Sequence, residues 1–218
     1  MTQTHSGSGM TSQRTRARMI ARLREKGIRD ERVLSALAAV PRHLFVEEAL
    51  ASRAYEDTAL PLGFSQTISQ PFIVARMIEV LREGRELGKT LEVGAGCGYQ
   101  AAVLAQLTKE VYAVERIEPL LAKAKLNLRA IQEFRVRLKY ADGQFGLPEA
   151  APFDTIIVAA AASCVPQALL QQLALGGRMV IPVGQGEQYL LLVERRAEGY
   201  IETPLDGVRF VPLLSGLE

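Results

Sequence analysis

The chain has 218 residues, of which 48% are hydrophobic and 23% charged, which is the balance of one globular domain with at most a small appendage. The formal net charge of +2 excludes a strong overall attraction to nucleic acid or to an anionic membrane. Two cysteines (Cys97, Cys164) and two histidines (His5, His43) are too few for a disulfide scaffold or a multi-histidine metal site, so no metal is expected.

Two further classes are excluded by the apolar pattern. No apolar run reaches the roughly 18 residues that a membrane span requires. The opening MTQTHSGSGM contains no apolar core of the kind found in a signal peptide. We therefore expect no membrane association and a cytoplasmic location.

The first residues differ in composition from the rest of the chain. Residues 1–12 are mostly Ser, Gly, Thr and Gln, and we expect a disordered tail. Eight Lys or Arg side chains follow within residues 13–32. Because Met19, Ile20 and Leu23 recur at helical spacing, this segment is predicted to be a helix packed on the domain. A basic arm that meets an acidic partner or RNA remains an alternative.

Local signals divide the next seventy residues into helices and extended chain. Gly27 is expected to end the first helix, Asp30 to cap a second, and Pro41 to end that one. The other elements predicted before residue 89 are a short helix at 45–53, loop and extended chain at 55–70, and a long helix at 72–82 with Pro71 in its first turn.

From Lys89 onward, strands alternate with helices, and this order is typical of a doubly wound α/β sheet. The predicted strands are 90–93, 111–114, 136–139, 153–158, 178–183, 189–194 and 207–212, and the predicted helices are 99–107, 119–131 and 166–174. The last two strands have no long helix between them, so an antiparallel edge should finish a mostly parallel sheet. We expect a single domain at 13–218, with an N-terminal helical cap and active-site segment at 13–88 and a cofactor-binding core at 89–218.

A glycine-rich turn marks the predicted ligand site. Gly94, Gly96 and Gly98 follow a strand and precede a helix, so the backbone can turn tightly and approach a ligand. Glu115 ends the next strand, where a carboxylate can bond the ribose hydroxyls of a nucleoside.

The acid before this turn distinguishes between nucleotide ligands. Glu92 lies two residues before the first glycine and would repel the pyrophosphate of a dinucleotide, which disfavours a dehydrogenase. The same carboxylate suits the cationic amino-acid end of S-adenosylmethionine, which carries an ammonium and a sulfonium. Asp142 and Gly143, after the third strand, are expected to meet the adenine amino group.

Several longer segments carry a family resemblance from about Arg18 to Leu213. They include Val40-Pro41-Arg42-His43-Leu44-Phe45-Val46, Gln66-Thr67-Ile68-Ser69-Gln70-Pro71, Leu91-Glu92-Val93-Gly94-Ala95-Gly96-Cys97-Gly98-Tyr99, Val114-Glu115-Arg116 and Val208-Arg209-Phe210-Val211-Pro212-Leu213. On these residues the chain resembles the bacterial protein-L-isoaspartate O-methyltransferases. The glycine motif is shared by all such methyltransferases, whereas the second and last of these segments are far more specific.

The resemblance implies a Rossmann-like, S-adenosylmethionine-dependent methyltransferase fold. It also implies a cofactor-binding set, namely Glu92, Gly94, Ala95, Gly96, Glu115, Arg116, Asp142 and Gly143. Two positions depart from the family: Ser65 stands where Gly is frequent, and Cys97 where Ser is usual. Because Cys97 lies in the glycine motif, we expect cofactor binding to be sensitive to oxidation.

The implied reaction methylates the free α-carboxylate of an isoaspartyl residue. Such a carboxylate has a pKa of about 3.5 and is already ionised at neutral pH, so no general base is needed. The resemblance gives Ser69 the active-site role, and the nearby helix end, with free N–H groups and its dipole, should also favour an anion. A plain N-cap is the alternative for Ser69. Thr67 is a second candidate donor, and His43 is expected to serve packing or a local hydrogen bond.

The expected substrates are flexible isoaspartyl peptides and protein segments. We expect them to lie extended between residues 66–69 and 208–211, and the product ester to proceed to a succinimide that starts repair. The enzyme is expected to be a monomer that binds no nucleic acid. A methyltransferase acting on RNA or a small molecule, and a non-catalytic S-adenosylmethionine sensor, remain alternatives.

Overall fold

The computed structural model describes residues 12–218. The predicted tail at 1–12 therefore lies outside the described residues, apart from Ser12. That residue is the N-cap of the first helix, and its hydroxyl accepts a hydrogen bond from the Thr15 N–H at 3.4 Å. Within the part of the chain that the structure describes, no helix is both long and apolar enough to cross a membrane.

The N-terminal region is helical, with one small hairpin. Its elements are α1 (Gln13–Glu25), α2 (Glu31–Ala39), two 3-10 helices (Arg42–Phe45 and Glu48–Arg53), β1 (Leu60–Gly63), β2 (Gln66–Ile68) and α3 (Pro71–Arg82). Asp30 caps α2 as predicted, since its carboxylate accepts the N–H groups of Arg32 and Val33. The single short helix predicted at 45–53 is wrong in detail, because one 3-10 helix ends at Phe45 and a second begins only at Glu48.

Several basic side chains in and next to α1 contact other parts of the domain. Met19, Ile20 and Leu23 are buried, which confirms the predicted packing face. Arg16 donates to the Ala38 carbonyl at 2.9 Å, and Lys26 forms an ion pair with Asp57 at 2.5 Å. These contacts make the helix a packed part of the domain.

The core is a seven-stranded sheet in the order β5-β4-β3-β6-β7-β8-β9. Its strands are β3 (Thr90–Val93), β4 (Val111–Glu115), β5 (Val136–Tyr140), β6 (Phe153–Val158), β7 (Leu173–Val183), β8 (Gln188–Arg196) and β9 (Gly199–Val208), and its helices are α4 (Tyr99–Ala105), α5 (Glu118–Ala130) and α6 (Gln167–Gln172). The first five strands in that order are parallel, and β8 and β9 are antiparallel. This confirms the expected fold class.

The sheet order determines where a ligand binds. The chain runs outward from β3 to β5 and then returns to β6 on the other side of β3. Ligands of doubly wound sheets bind beyond the carboxyl ends of the strands at this reversal. Strand β3 leads directly into the glycine-rich turn, so the turn lies at the reversal.

Two predicted boundaries are wrong at the antiparallel end. The last strand is Gly199–Val208, not 207–212, because β9 is an exposed edge that lacks an apolar alternation and contains Pro204. The apolar residues that follow cross the sheet edge instead, where Ala161 exchanges backbone hydrogen bonds with Val211 and Leu213. Strand β7 also starts early, at Leu173, and a bulge separates this residue from the regular pairing that resumes at Arg178.

Candidate active site

The glycine-rich turn is held against the end of β4. Gly94 has φ = +89° and Gly96 φ = +55°, a region that L side chains rarely adopt. The N–H groups of Gly94 and Ala95 both donate to the Val114 carbonyl at 3.0 Å. The backbone of the turn is therefore fixed, and Gly94, Ala95 and Gly96 border a pocket over the sheet edge.

Glu115 connects the turn to β4. One carboxylate oxygen, Oε2, accepts the Gly96 N–H at 2.8 Å, and the other, Oε1, accepts the N–H groups of Arg116 at 2.8 Å and Ile117 at 2.9 Å. A carboxylate has about four acceptor positions. Oε2 therefore keeps one acceptor position, at the border of the pocket where a hydroxyl was predicted.

Glu92 is a buried carboxyl group at the base of the pocket. Its side chain is 1% exposed, and Oε2 has no hydrogen-bond partner among the described residues. Burial raises the pKa of Glu92 well above its usual value; the side chain of Gln100 opposes this shift, and nearby Glu115 adds to it. Because a buried polar atom without a partner is costly, the arrangement fits a cationic ligand group.

The segment after β5 contributes backbone more than side chains to the border of the pocket. Gly143 borders the pocket, and an added Cβ there would lie 2.5 Å from Cγ1 of Val93, so only glycine fits. The Asp142 carboxylate accepts the N–H groups of Gln144 at 2.9 Å and Gly216 at 2.6 Å. Its contact with an adenine amino group stays a prediction.

Arg116 holds the end of the chain beside the pocket. Its Nε donates to the Gly216 carbonyl at 2.8 Å, and Nη1 forms an ion pair with Glu218 at 3.0 Å. Leu213 and Leu214, just before this segment, border the same pocket. Arg116 therefore shapes the site by fixing a neighbouring segment.

Ser69 and Thr67 lie where the pocket opens into a surface groove. Both residues border the pocket and also the groove, whose lining includes Val208 and Val211 as well. The N-cap of α3 is Gln70, whose own side chain makes no capping hydrogen bond, so the plain N-cap alternative for Ser69 is wrong. Among the described residues, the Ser69 hydroxyl makes no hydrogen bond.

The helix end next to Ser69 differs from the prediction. Pro71 has no N–H, and the Phe72 N–H donates to the Asp57 carboxylate at 2.9 Å. The side chain of Gln70 donates to the same carboxylate at 3.2 Å. The expectation of free N–H groups that would favour a bound anion is therefore wrong for the first two residues of α3, because Pro71 has none and Asp57 already accepts that of Phe72.

The family assignment rests on the whole chain. A model of the protein-L-isoaspartate (D-aspartate) O-methyltransferase family matches residues 14–218. The chain belongs to this family. It is 77% identical over 213 residues to a protein-L-isoaspartate O-methyltransferase from Dechloromonas aromatica, covering 97% of this chain and 99% of that protein.

Solved structures agree with this assignment. A structure named protein-L-isoaspartate O-methyltransferase aligns at a TM-score of 0.84 with 28% identity, over 93% of this chain and 67% of that one. Another, from Plasmodium falciparum and in complex with S-adenosyl-L-homocysteine, aligns at 0.76 with 25% identity, over 90% and 97% of the two chains. This chain is accordingly an S-adenosylmethionine-dependent protein-L-isoaspartate O-methyltransferase.

The remaining candidate residues have structural roles in this methyltransferase. Nδ1 of His43 lies 2.8 Å from the Tyr55 hydroxyl, which confirms the expected local hydrogen bond. Cys97 is 2% exposed, and burial raises the pKa of its thiol to about 11. A buried, protonated thiol reacts slowly, which argues against the expected oxidation sensitivity. Residues 12–218 contain no group of three or more metal-binding side chains.

Sequence reasoning missed two residues behind Ser69. Asp57 occupies the start of α3, and Arg42 donates to the Ser69 carbonyl at 2.8 Å. Both come from the segment before the hairpin, and no local pattern links them to Ser69. The Pro-Arg-His-Leu-Phe segment carries the family resemblance, but its sequence does not indicate what Arg42 contacts.

Proposed function

We propose that two groups of residues divide the methyl transfer between them. Glu92, the glycine turn, Glu115 and Gly143 bind S-adenosylmethionine, with Ala95, Arg116 and Asp142 supporting that site, while Ser69 and Thr67 bind the isoaspartyl carboxylate. The observation that carries this proposal is that a single pocket is bordered by members of both groups. The two reactants can therefore meet without a rearrangement of the sheet.

The cofactor side fits the ligand chemically. The partnerless Oε2 of Glu92 offers a place for the ammonium group, and Oε2 of Glu115 keeps an acceptor for a ribose hydroxyl. S-adenosylmethionine, when bound, supplies an electrophilic methyl group on its sulfonium. The residues of this side bind and orient it.

The substrate side needs to orient an anion, not to remove a proton. The carboxylate of an isoaspartyl residue has a pKa of about 3.5 and is ionised at neutral pH. The Ser69 hydroxyl, with no partner in the described residues, can donate to it, and Thr67 lies beside it. This fits a site in which the histidine His43 is bonded to Tyr55 and is not needed as a base.

The groove beyond Ser69 suits an extended peptide. Its lining combines residues 207–211 with Thr67 and Gln70. Main-chain hydrogen bonds along such a groove would tolerate many flanking side chains. In the product ester, the next backbone nitrogen of the peptide attacks the ester carbonyl, methanol leaves, and a succinimide forms. Hydrolysis of the succinimide then returns some normal aspartyl linkage.

A pair of substitutions tests this division. We expect Ser69→Ala to lower kcat for a short isoaspartyl peptide by about 100-fold, the range for a lost group that orients a reacting atom, while the Kd for S-adenosylhomocysteine stays near wild type. Glu115→Ala should weaken that Kd markedly, because the turn loses its anchor. Methyl esters counted as base-released methanol, and calorimetry, give the two readouts.

The normal aspartyl peptide is the matched substrate control. Methylation of the isoaspartyl peptide alone supports the assignment. An unchanged kcat in Ser69→Ala would remove the role of Ser69, and a wild-type Kd in Glu115→Ala would remove the ribose contact.

We also propose a monomeric, cytoplasmic enzyme that binds no nucleic acid, built as one domain with a cap at 13–88 and a core at 89–218. The absence of nucleic-acid binding is supported by two basic side chains that are used in internal contacts: Arg16 in α1 with Ala38, and Lys26 at its end with Asp57. Light scattering tests the oligomeric state, and a gel shift with RNA tests nucleic-acid binding. A dimer mass or a shifted band would contradict the corresponding point.

A further inference from the structure

Arg42 connects three segments behind the substrate side of the pocket. Its side chain is fully buried, at 0% exposure. Nε donates to the Ala54 carbonyl and Nη2 to the Ser69 carbonyl, each at 2.8 Å. The guanidinium carbon also lies 4.7 Å from the centroid of the Tyr99 ring, at the start of α4. One cation thus holds the backbone of Ser69 from behind.

This cation has no carboxylate partner. Arg42 forms no ion pair with any described residue, and its Nη1 is buried without a hydrogen-bond partner. Burial lowers the pKa of Arg42, but arginine keeps its proton in proteins. A buried charge is normally paired because its desolvation is costly. Arg82, the other buried arginine, follows that rule through ion pairs with Asp30 and Glu86.

Apart from Arg42, the charge next to the proposed carboxylate site is that of Asp57, which is unfavourable for binding an anion. Asp57 accepts the Phe72 N–H at the start of α3, so a negative charge occupies the helix end beside Ser69. Lys26 offsets it from the outside, with a side chain that is 44% exposed. A substrate carboxylate at Ser69 needs a positive potential on its protein side, and Arg42 is placed to supply one in a medium of low dielectric.

Resting on the function proposed above, we propose that Arg42 is the positioning residue for the isoaspartyl carboxylate. It fixes the Ser69 carbonyl, so that the hydroxyl of the same residue borders the pocket, and its unpaired charge offsets Asp57 when the substrate anion binds. Arg42 acts through Ser69 and touches no reacting atom.

A double-mutant cycle tests this link. Arg42→Lys keeps the charge but loses the fork that binds two carbonyls. We expect kcat/KM for an isoaspartyl peptide to fall about 10-fold or more in Arg42→Lys, and less than about 3-fold when the same change is made in Ser69→Ala, because coupled residues are not additive. The Kd for S-adenosylhomocysteine should change less than the KM for the peptide. Arg82→Lys is the matched control, since it alters a buried arginine away from the pocket and should leave kcat/KM near wild type.

The other possible results would each contradict one part of the proposal. Equal losses from Arg42→Lys with and without the Ser69 hydroxyl would make Arg42 independent of Ser69. An unchanged kcat/KM, or a failure to fold where Arg82→Lys folds, would leave Arg42 with a structural role only. An inactive wild type with this peptide would instead contradict the proposed function.

Discussion

At the residue scale, Glu92 is the group for which we predict that protonation and cofactor binding are coupled. Burial raises the pKa of this carboxyl, so the protonated form is favoured in the folded protein more than in the unfolded chain. The contribution of Glu92 to stability is therefore fully present below the ordinary glutamate pKa and is lost as pH rises through the raised pKa. A cationic ligand group would favour the ionised form and release a proton.

Cofactor binding should accordingly depend on pH. We expect proton release when S-adenosylhomocysteine binds, and an affinity that increases with pH until the raised pKa of Glu92 is passed. Calorimetry in two buffers with different ionisation enthalpies, between about pH 5 and pH 8, measures this release. Glu92→Gln is the control: it should bind more weakly and release no proton. Equal enthalpies in both buffers for the wild type would contradict the assignment.

Local rules predicted several single residues correctly. Asp30 caps α2, and Gly27, with φ = +106°, follows α1, because capping depends on a few neighbouring residues. The contacts of Ser69 could not be predicted in this way. Its carbonyl meets Arg42 and its helix end meets Asp57, and these partners are distant in sequence.

At the element scale, α3 depends on an acid from another segment. Asp57 accepts the Phe72 N–H, bonds the side chain of Gln70 and pairs with Lys26. Burial alone would raise the pKa of Asp57, but these donors together lower it below its ordinary value. The stability that Asp57 contributes is thus present above the unfolded-state pKa and is lost as pH falls through the lowered one.

Removal of this cap should be measurable. We expect Asp57→Ala to lower the free energy of unfolding by about 1 to 2 kcal/mol, the usual loss for an N-cap acid, in urea titrations at neutral pH. Asp206→Ala is the control, since Asp206 forms a surface ion pair with Arg76 and such pairs contribute about 0 to 1 kcal/mol. The difference between the two variants should shrink at acid pH. Equal losses at neutral pH would show that Asp57 is not a cap.

The errors among the elements share one cause. Strand β9 was not predicted between residues 199 and 206, because an exposed edge strand has no buried face to impose an apolar alternation. The apolar residues at 210–213 were predicted as strand because their composition fits one. They instead cover the sheet edge, where Ala161 pairs with Val211 and Leu213.

At the scale of the whole molecule, the last residues hold in place a segment that borders the pocket. The Gly216 N–H donates to Asp142 at 2.6 Å, and the backbone of Glu218 pairs with Arg116 and Glu118 at 2.8 Å. These contacts join elements that lie far apart in sequence. They place Leu213 and Leu214 at the border of the pocket.

Deletion of residues 215–218 should open that side. We expect the Kd for S-adenosylhomocysteine to rise about 10-fold or more, because ligand binding would then have to order this segment and the binding free energy would be smaller. The KM for the peptide should change less. Glu218→Gln is the control: it removes one ion pair that is partly exposed and should have little effect. A truncated protein with wild-type affinity would show that this segment is not part of the site.

Sequence alone determined the alternation of strands and helices, the glycine turn at the sheet reversal, and the two acids Glu92 and Glu115 beside it. These follow from periodicity and from residues within one strand–turn–helix unit, where neighbours in sequence are neighbours in space. Only the tertiary structure decided that Asp57 occupies the start of α3, that Arg42 holds Ser69, and that Leu213 and Leu214 border the pocket. Those contacts depend on how separate segments pack, and no local pattern in the chain encodes which partner a buried charge will meet.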